Sequence, residues 1–261
     1  MTPAISFGCS TFCCMDQPLD EALDKIRQRT ERIEIVSEGL HDLFRNHEAC
    51  HSVRARYSVH TPLTDINLAS INERIRKAGL AVIDDLCGIC DSIHAETIVV
   101  HPGYFPWLSV KDASYSALLN SLDDLNILQK EHDVRICIEN MGSWECCHFR
   151  TPDLLPELRQ RNLGFVLDAG HAHLNKRVNE FLESGIPDHL HLHDNSGSAD
   201  DHNACGNGTI DFSAILSRVP ASVPRIIECR DLAAYDRGVA FLSMTGGNHN
   251  GLSNPDAKEE K

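Results

Sequence analysis

The sequence is short of positive charge, of aromatic residues and of long apolar runs. Lys and Arg number 24 against 38 Asp and Glu, a formal net charge of −14. Such a surplus repels polyanions unless one face gathers the cations, so a general nucleic-acid binder is disfavoured. No apolar run approaches the roughly 20 residues that a membrane-crossing helix needs. The opening MTPAISFG has neither the basic segment nor the apolar stretch of a secretory leader. No membrane association and a cytoplasmic location are therefore expected. Aromatics make up 6% of the chain, and Trp107 and Trp144 are its only tryptophans, which leaves few candidates for an apolar wall around a ligand.

Cysteine is plentiful, but a disulfide framework is missing. The 11 cysteines are odd in number and run from Cys9 to Cys229, with adjacent pairs at Cys13-Cys14 and Cys146-Cys147. Cys87 and Cys90 form a CxxC inside a helical pattern with no second CxxC to complete a zinc ribbon. Reduced, partly buried thiols are expected.

What the chain does have is a recurring short apolar segment. ISFGCS (5–10), RIEIV (32–36), RYSVH (56–60), TIVVH (97–101), VRICIE (134–139), LGFVLD (163–168), DHLHLH (188–193) and RIIE (225–228) alternate with helical patterns. Near-continuous apolar strands of this kind belong to a parallel sheet covered on both faces. Eight of them in 261 residues predict an α/β chain folded as a single (β/α)8 TIM barrel, since that fold takes roughly 250 residues. The clearest helix is predicted to start at Ser70, with Ser70 and Glu73 at capping-box spacing and a stripe of Ile71, Ile75, Ala78, Val82, Leu86, Ile89 and Ile93. Tyr115, Leu118, Leu122 and Leu125 mark a second helix, and Leu19, Leu23 and Ile26 a shorter one. The barrel is expected over 1–244, with 245–261 a polar tail too poor in apolar residues to order itself.

Catalytic groups of a TIM barrel come from the C-terminal ends of its strands and the loops that follow. Here those ends carry His60, His101, Glu139, Asp168 and Glu228, and the seventh strand carries His189, His191 and His193 on one face. One strand-end histidine is ordinarily a hydrogen-bonded core residue, and one carboxylate a helix cap. Six successive strands converging imidazoles and carboxylates on one rim set up repulsion that a cation relieves. His171 follows Asp168 by three residues, and Asp200 and His202 form a D-x-H in a loop that the Gly206-Asn207-Gly208 turn closes. His173 and Asp201 are read as supporting neighbours. Mixed nitrogen and oxygen donors suit Zn, Mn, Fe or Co, with zinc or manganese preferred and one to three ions.

SVHTP (58–62) with NLAS (67–70), VVHPG (99–103), IEN (138–140), DAGHAH (168–173), HLHDNSG (191–197), DDHNACGNGTIDF (200–212) and IIE (226–228) together resemble the xylose-isomerase-like superfamily of TIM barrels, which holds sugar isomerases and epimerases as well as endonuclease IV. The resemblance implies a metal quartet of Glu139, Asp168, His191 and Glu228, with His191 chosen over His193 because it precedes Asp194 by three. It also implies Glu139 and Glu228 as the acid/base pair that interconverts a small sugar, polyol or keto compound through an ene-diolate. The endonuclease limb of the superfamily adds His60, His101, His171, Asp200 and His202, and with them a trinuclear zinc phosphodiesterase. Against that limb, ISFGCSTF does not resemble the nuclease's Gly-Ala-His-Val-like opening, and IEIVSEGLHDL follows the sugar enzymes, with Glu34 facing the pocket. The isomerase or epimerase is the leading expectation, the phosphodiesterase the alternative, and a non-catalytic metal- or sugar-binding barrel the last. A carbohydrate-like small molecule is the expected partner, with Arg230, Trp107 and Glu34 as candidate substrate contacts; nucleic acid is disfavoured, and a homo-oligomer is compatible with the sequence.

Overall fold

A computed structural model of the chain describes residues 6–246. Eight parallel strands close in sequence order into one barrel: β1 (Gly8–Ser10), β2 (Arg32–Val36), β3 (Arg56–His60), β4 (Thr97–Val100), β5 (Arg135–Glu139), β6 (Gly164–Asp168), β7 (His189–Leu192) and β8 (Arg225–Ile227). The predicted strands are all there, shifted by a residue or so at their ends. His101, His193 and Glu228 fall just past their strands, and the first strand starts at Gly8. Residue 5, the predicted start of that strand, and residues 247–261 of the predicted tail lie outside the described residues.

The helices that cover the sheet are α1 (Leu19–Arg27), α2 (Leu43–Asn46), α3 (Glu73–Ile93), α4 (Lys111–Glu131), α5 (Leu155–Gln160), α6 (Ala169–Leu174), α7 (Val178–Ser184), α8 (Phe212–Arg218) and α9 (Leu232–Gly246). The last of these carries regular structure two residues beyond the expected barrel boundary at 244. Leu19, Leu23 and Ile26 of α1, and Leu118, Leu122 and Leu125 of α4, are buried as their spacing predicts. None of the described helices is long and apolar enough to cross a membrane.

Helix α3 corrects the sequence reading. It is capped by Asn72, whose side chain accepts from Arg74 N, so Ser70 and Ile71 precede it. Ile71 and Ile75 are about half exposed, at 52% and 51%, and the buried face runs instead through Arg76, Leu80, Ile83, Leu86, Cys87, Cys90 and Ile93. The apolar stripe misled because an arginine occupies the inward position. Arg76 buries its stem while its guanidinium donates to Glu73 (2.7 and 2.8 Å), Asp124 (2.8 Å) and Ser121 (3.1 Å). Cys87 and Cys90 are buried free thiols on this same face.

A buried histidine away from the barrel mouth gives a stability prediction. His148 Nε2 lies 2.9 Å from Ser114 Oγ, whose hydroxyl donates to Ala69 O. Burial, helped by Lys111, pushes the His148 imidazole down from 6.5 to about 4. The unfolded chain therefore takes up a proton at higher pH than the folded one. The contribution of this group is full above pH 6.5 and is lost as pH falls through that value toward 4, up to about 3 kcal/mol. Urea unfolding at pH 7 and pH 4.5 should show a smaller loss for His148→Asn than for the parent; equal losses would contradict it.

Candidate metal centre

The strand ends deliver the nine expected donor residues to one chamber. Glu139, at the end of β5, sits at its middle and is 1% exposed. His60 Nε2 and His101 Nε2 approach Glu139 Oε2 at 3.0 and 3.5 Å, and His191 Nδ1 lies 3.6 Å from the same oxygen. His191 Nδ1 also faces Asp168 Oδ2 at 3.9 Å and Glu228 Oε2 at 3.8 Å. On the other side, Asp200 Oδ2 lies 3.3 Å from His171 Nε2 and 3.1 Å from His202 Nε2. Groups with metal-ligand spacing are His60/His101/Glu139, Glu139/Asp168/His191, Asp168/His171/His193 and His193/Asp200/His202 around the chamber, with Glu34/His189/His191 buried off the cavity wall.

The backbone sets the tautomers of the imidazoles. Nδ1 of His60, His101, His171 and His202 lies 2.8, 3.3, 3.0 and 3.3 Å from the carbonyl oxygens of Thr61, Leu63, Asn140 and Glu228. A carbonyl only accepts, so Nδ1 carries the proton and Nε2 turns its lone pair to the chamber. His191 lies the opposite way round, with Nδ1 inward and Nε2 2.8 Å from Glu34 Oε1 in a close charge contact that is not aligned as a hydrogen bond. This outer-layer orientation is what metal-ligating histidines have. Asp168 Oδ2, Asp200 Oδ1, Glu34 Oε1 and both ring nitrogens of His191 and of His193 are buried without a hydrogen-bond partner. The donor set therefore fits divalent cations.

Electrostatics agree. Burial alone would push the Glu139 carboxyl up, but His191 and the other imidazoles outweigh it and hold the carboxyl well below its ordinary range. Glu34 is likewise low despite burial, through His191 and His189. Burial pulls His60, His171, His191 and His202 down, and the surrounding carboxylates more than reverse it. The chamber thus favours positive charge, on protons or on metal ions.

Two supports were not singled out by sequence. His193, fully buried, stacks on His202 at 4.0 Å between centroids and points Nε2 at Asp168 Oδ1, 3.2 Å away. The alternation of His189, His191 and His193 carried that signal. Asp194 accepts from Asn195 N, Gly206 N and Gly208 N, each at 2.9 Å, and from Ile210 N at 3.2 Å, which ties down the loop bearing Asp200 and His202. His202 itself is held at φ 47°. Of the supporting neighbours, His173 bonds Thr209 Oγ1, and Asp201 O accepts from Arg230 Nε.

Close packing also requires Gly170, where a Cβ would stand 2.0 Å from His193 Cε1. Gly170→Ala is expected to cost about 1–3 kcal/mol and to weaken metal binding through a displaced His193, which denaturant titration and chelator competition would measure.

The candidate substrate contacts are relocated. Glu34 does not face the pocket: it is fully buried beneath the chamber, accepting from Ser58 Oγ at 2.8 Å and bonded to His189 Nε2 at 2.8 Å. Trp107 is 73% exposed and off the cavity wall, because its loop turns outward into α4. Arg230 is exposed, is likewise off the wall, and is engaged with Asp201 O. The cavity above the chamber, about 460 Å³, is lined instead by Phe12, Tyr104, Met141 and Trp144 among others, and its described lining contains no lysine or arginine.

Comparison with known proteins places this chain in a family. An uncharacterized protein of Methanocaldococcus jannaschii is 37% identical over 207 residues, 78% of this chain and 82% of that protein. A probable endonuclease 4 of Mycobacterium leprae is 28% identical over 201 residues, 70% of this chain and 76% of that one. The crystal structure of a D-tagatose 3-epimerase-like protein superposes with a TM-score of 0.83 at 27% identity, covering 94% of this chain and 98% of that one. A sequence model described as xylose isomerase-like TIM barrel matches residues 14–256, and the chain belongs to that family.

Proposed function

We propose that the chain is a divalent-metal-dependent phosphoester hydrolase with a multinuclear centre on His60, His101, Glu139, Asp168, His171, His191, Asp200, His202 and Glu228. The observation that carries this reading is that eight of these donors, all but Glu228, fall into adjoining groups with metal-ligand spacing, linked through Glu139, Asp168 and a further residue, His193. Charge supports more than one ion. With neutral imidazoles, one divalent cation leaves Glu34, Glu139, Asp168, Asp200 and Glu228 three charges short of neutrality, whereas three cations exceed them by one. Zinc or manganese suits the nitrogen and oxygen donors. Such ions supply Lewis acidity to a phosphoryl oxygen and lower the pKa of water.

The chain's own groups supply the rest. Glu228 lines the cavity, and its carboxylate comes no nearer to His191 Nδ1 than 3.8 Å, so the oxygen it does not give to a cation could take the proton of an attacking water. His60, His101, His171 and His202 stay in fixed tautomers through their backbone partners, so no reorganisation accompanies the reaction. A cavity of about 460 Å³ without lysine or arginine in its described lining selects a compact substrate over a long polyanion.

A second reading is a metal-dependent isomerase or epimerase. It is favoured by Glu139 and Glu228 flanking His191 Nδ1 at 3.6 and 3.8 Å, a carboxylate pair able to move a proton across a sugar carbon, and by the likeness to a D-tagatose 3-epimerase-like protein. One experiment separates the two. Zinc- and manganese-loaded protein is offered p-nitrophenyl phosphate, bis(p-nitrophenyl) phosphate, and ketohexoses in D2O. Ester hydrolysis with no deuterium entering the ketose supports the hydrolase; deuterium in the ketose without ester hydrolysis supports the epimerase.

A further inference from the structure

We infer that the substrate carries a flat apolar ring next to its phosphate, held between Trp144 and Phe12; this rests on the hydrolase reading above. The His171/Asp200/His202 side of the chamber is flanked by two aromatic rings. The Trp144 indole meets His171 edge-on at 5.5 Å between centroids, and the Phe12 ring lies 4.7 Å from His202. Both rings line the cavity. A group attached to an oxygen bound at this side of the chamber would lie in the cavity that both rings line.

Both walls are set before any ligand arrives. A Cβ on Gly142 would stand 2.7 Å from Trp144 Cζ3, so the indole rests against bare backbone, between Gly142 and His171. The Trp144 loop is tied to the loop after β4 by Phe105 N to Cys146 O at 2.9 Å and by the bridge between Tyr104 and Cys147. Asn67 in turn donates to Tyr104 O and accepts from Tyr104 N, both at 3.0 Å. Phe12 belongs to a 3-10 turn, Thr11–Cys14, whose Ser10 side chain accepts from Phe12 N. Trp144 nonetheless stays 45% exposed and Tyr104 42% exposed, leaving aromatic surface open toward the mouth. Exposed rings on a fixed wall, with Leu63, Ile66 and Met141 in the same lining, bind an apolar ring at little ordering cost.

The test uses zinc-loaded full-length protein and two ligands that cannot be hydrolysed, phenylphosphonate and methylphosphonate, with affinities read by calorimetry. The phenyl compound is expected to bind about tenfold or more tightly than the methyl compound. Trp144→Ala should bring that ratio close to one, and Trp144→Phe, which keeps a ring and guards against a folding defect, should keep most of it. Equal affinities in the parent protein would overturn the inference while leaving the hydrolase reading standing. If neither phosphonate binds, the hydrolase reading fails and the inference with it.

Discussion

Glu139→Gln is expected to remove metal from two of the donor groups at once and to reduce turnover on the order of a thousandfold. The carboxylate is the shared neighbour of His60, His101 and His191, and His171 Nδ1 lies 3.2 Å from its other oxygen. An amide keeps the shape but offers one neutral oxygen in place of a charge shared between groups. Several kcal/mol of charge stabilisation is at stake in a metal-assisted reaction, and each 1.4 kcal/mol is about a factor of ten in rate. Elemental analysis and turnover should fall together. Full metal content with normal turnover would remove Glu139 from the centre.

The second large effect comes from a residue that no ligand is expected to touch. Glu34 lies under the chamber and joins Ser58 of β3 to His189 and His191 of β7. Its Oε1 faces His191 Nε2 at 2.8 Å, on the far side of the ring from the Nδ1 that points to the centre. Glu34→Gln retains the shape and part of the hydrogen bonding but loses the charge that makes His191 a good donor. Metal affinity should drop about 10–100-fold, as is usual for outer-layer partners. Glu34→Ala goes further, stranding the two imidazoles and the Ser58 hydroxyl in a fully buried space. The expected cost is about 3–5 kcal/mol of stability. Chelator competition on the glutamine variant and urea unfolding of the alanine variant check the two parts separately. An unchanged affinity in Glu34→Gln would reduce Glu34 to a packing role.

These expectations depend on features that were unequally legible in the sequence. The barrel could be read because eight short segments rich in apolar residues alternate with helical patterns, and the donors because strand ends carry His or an acid in six successive strands. Their chemical arrangement could not be read. That Nδ1 of His60, His101, His171 and His202 is occupied by Thr61, Leu63, Asn140 and Glu228 carbonyls depends on loop paths. The likeness of IEIVSEGLHDL to the sugar enzymes puts Glu34 at the pocket, but the residue sits low in the barrel, in a packed layer below the mouth. Trp107 and Trp144 both follow donor-bearing strands, and only loop conformation decides that Trp144 reaches the cavity while Trp107 does not. Arg230 is drawn away by Asp201 O. The start of α3 was misplaced because Ser70 and Asn72 are both good caps and an inward arginine, Arg76, hides the true face.

The most direct test of the multinuclear centre is metal content per chain, by elemental analysis of protein saturated with zinc and freed of excess, with an anomalous-scattering map to locate each ion. The account predicts about three ions per chain, at the groups around His60 and His101, around Asp168 and His191, and around Asp200 and His202. A single ion confined to Glu139, Asp168, His191 and Glu228 would contradict it.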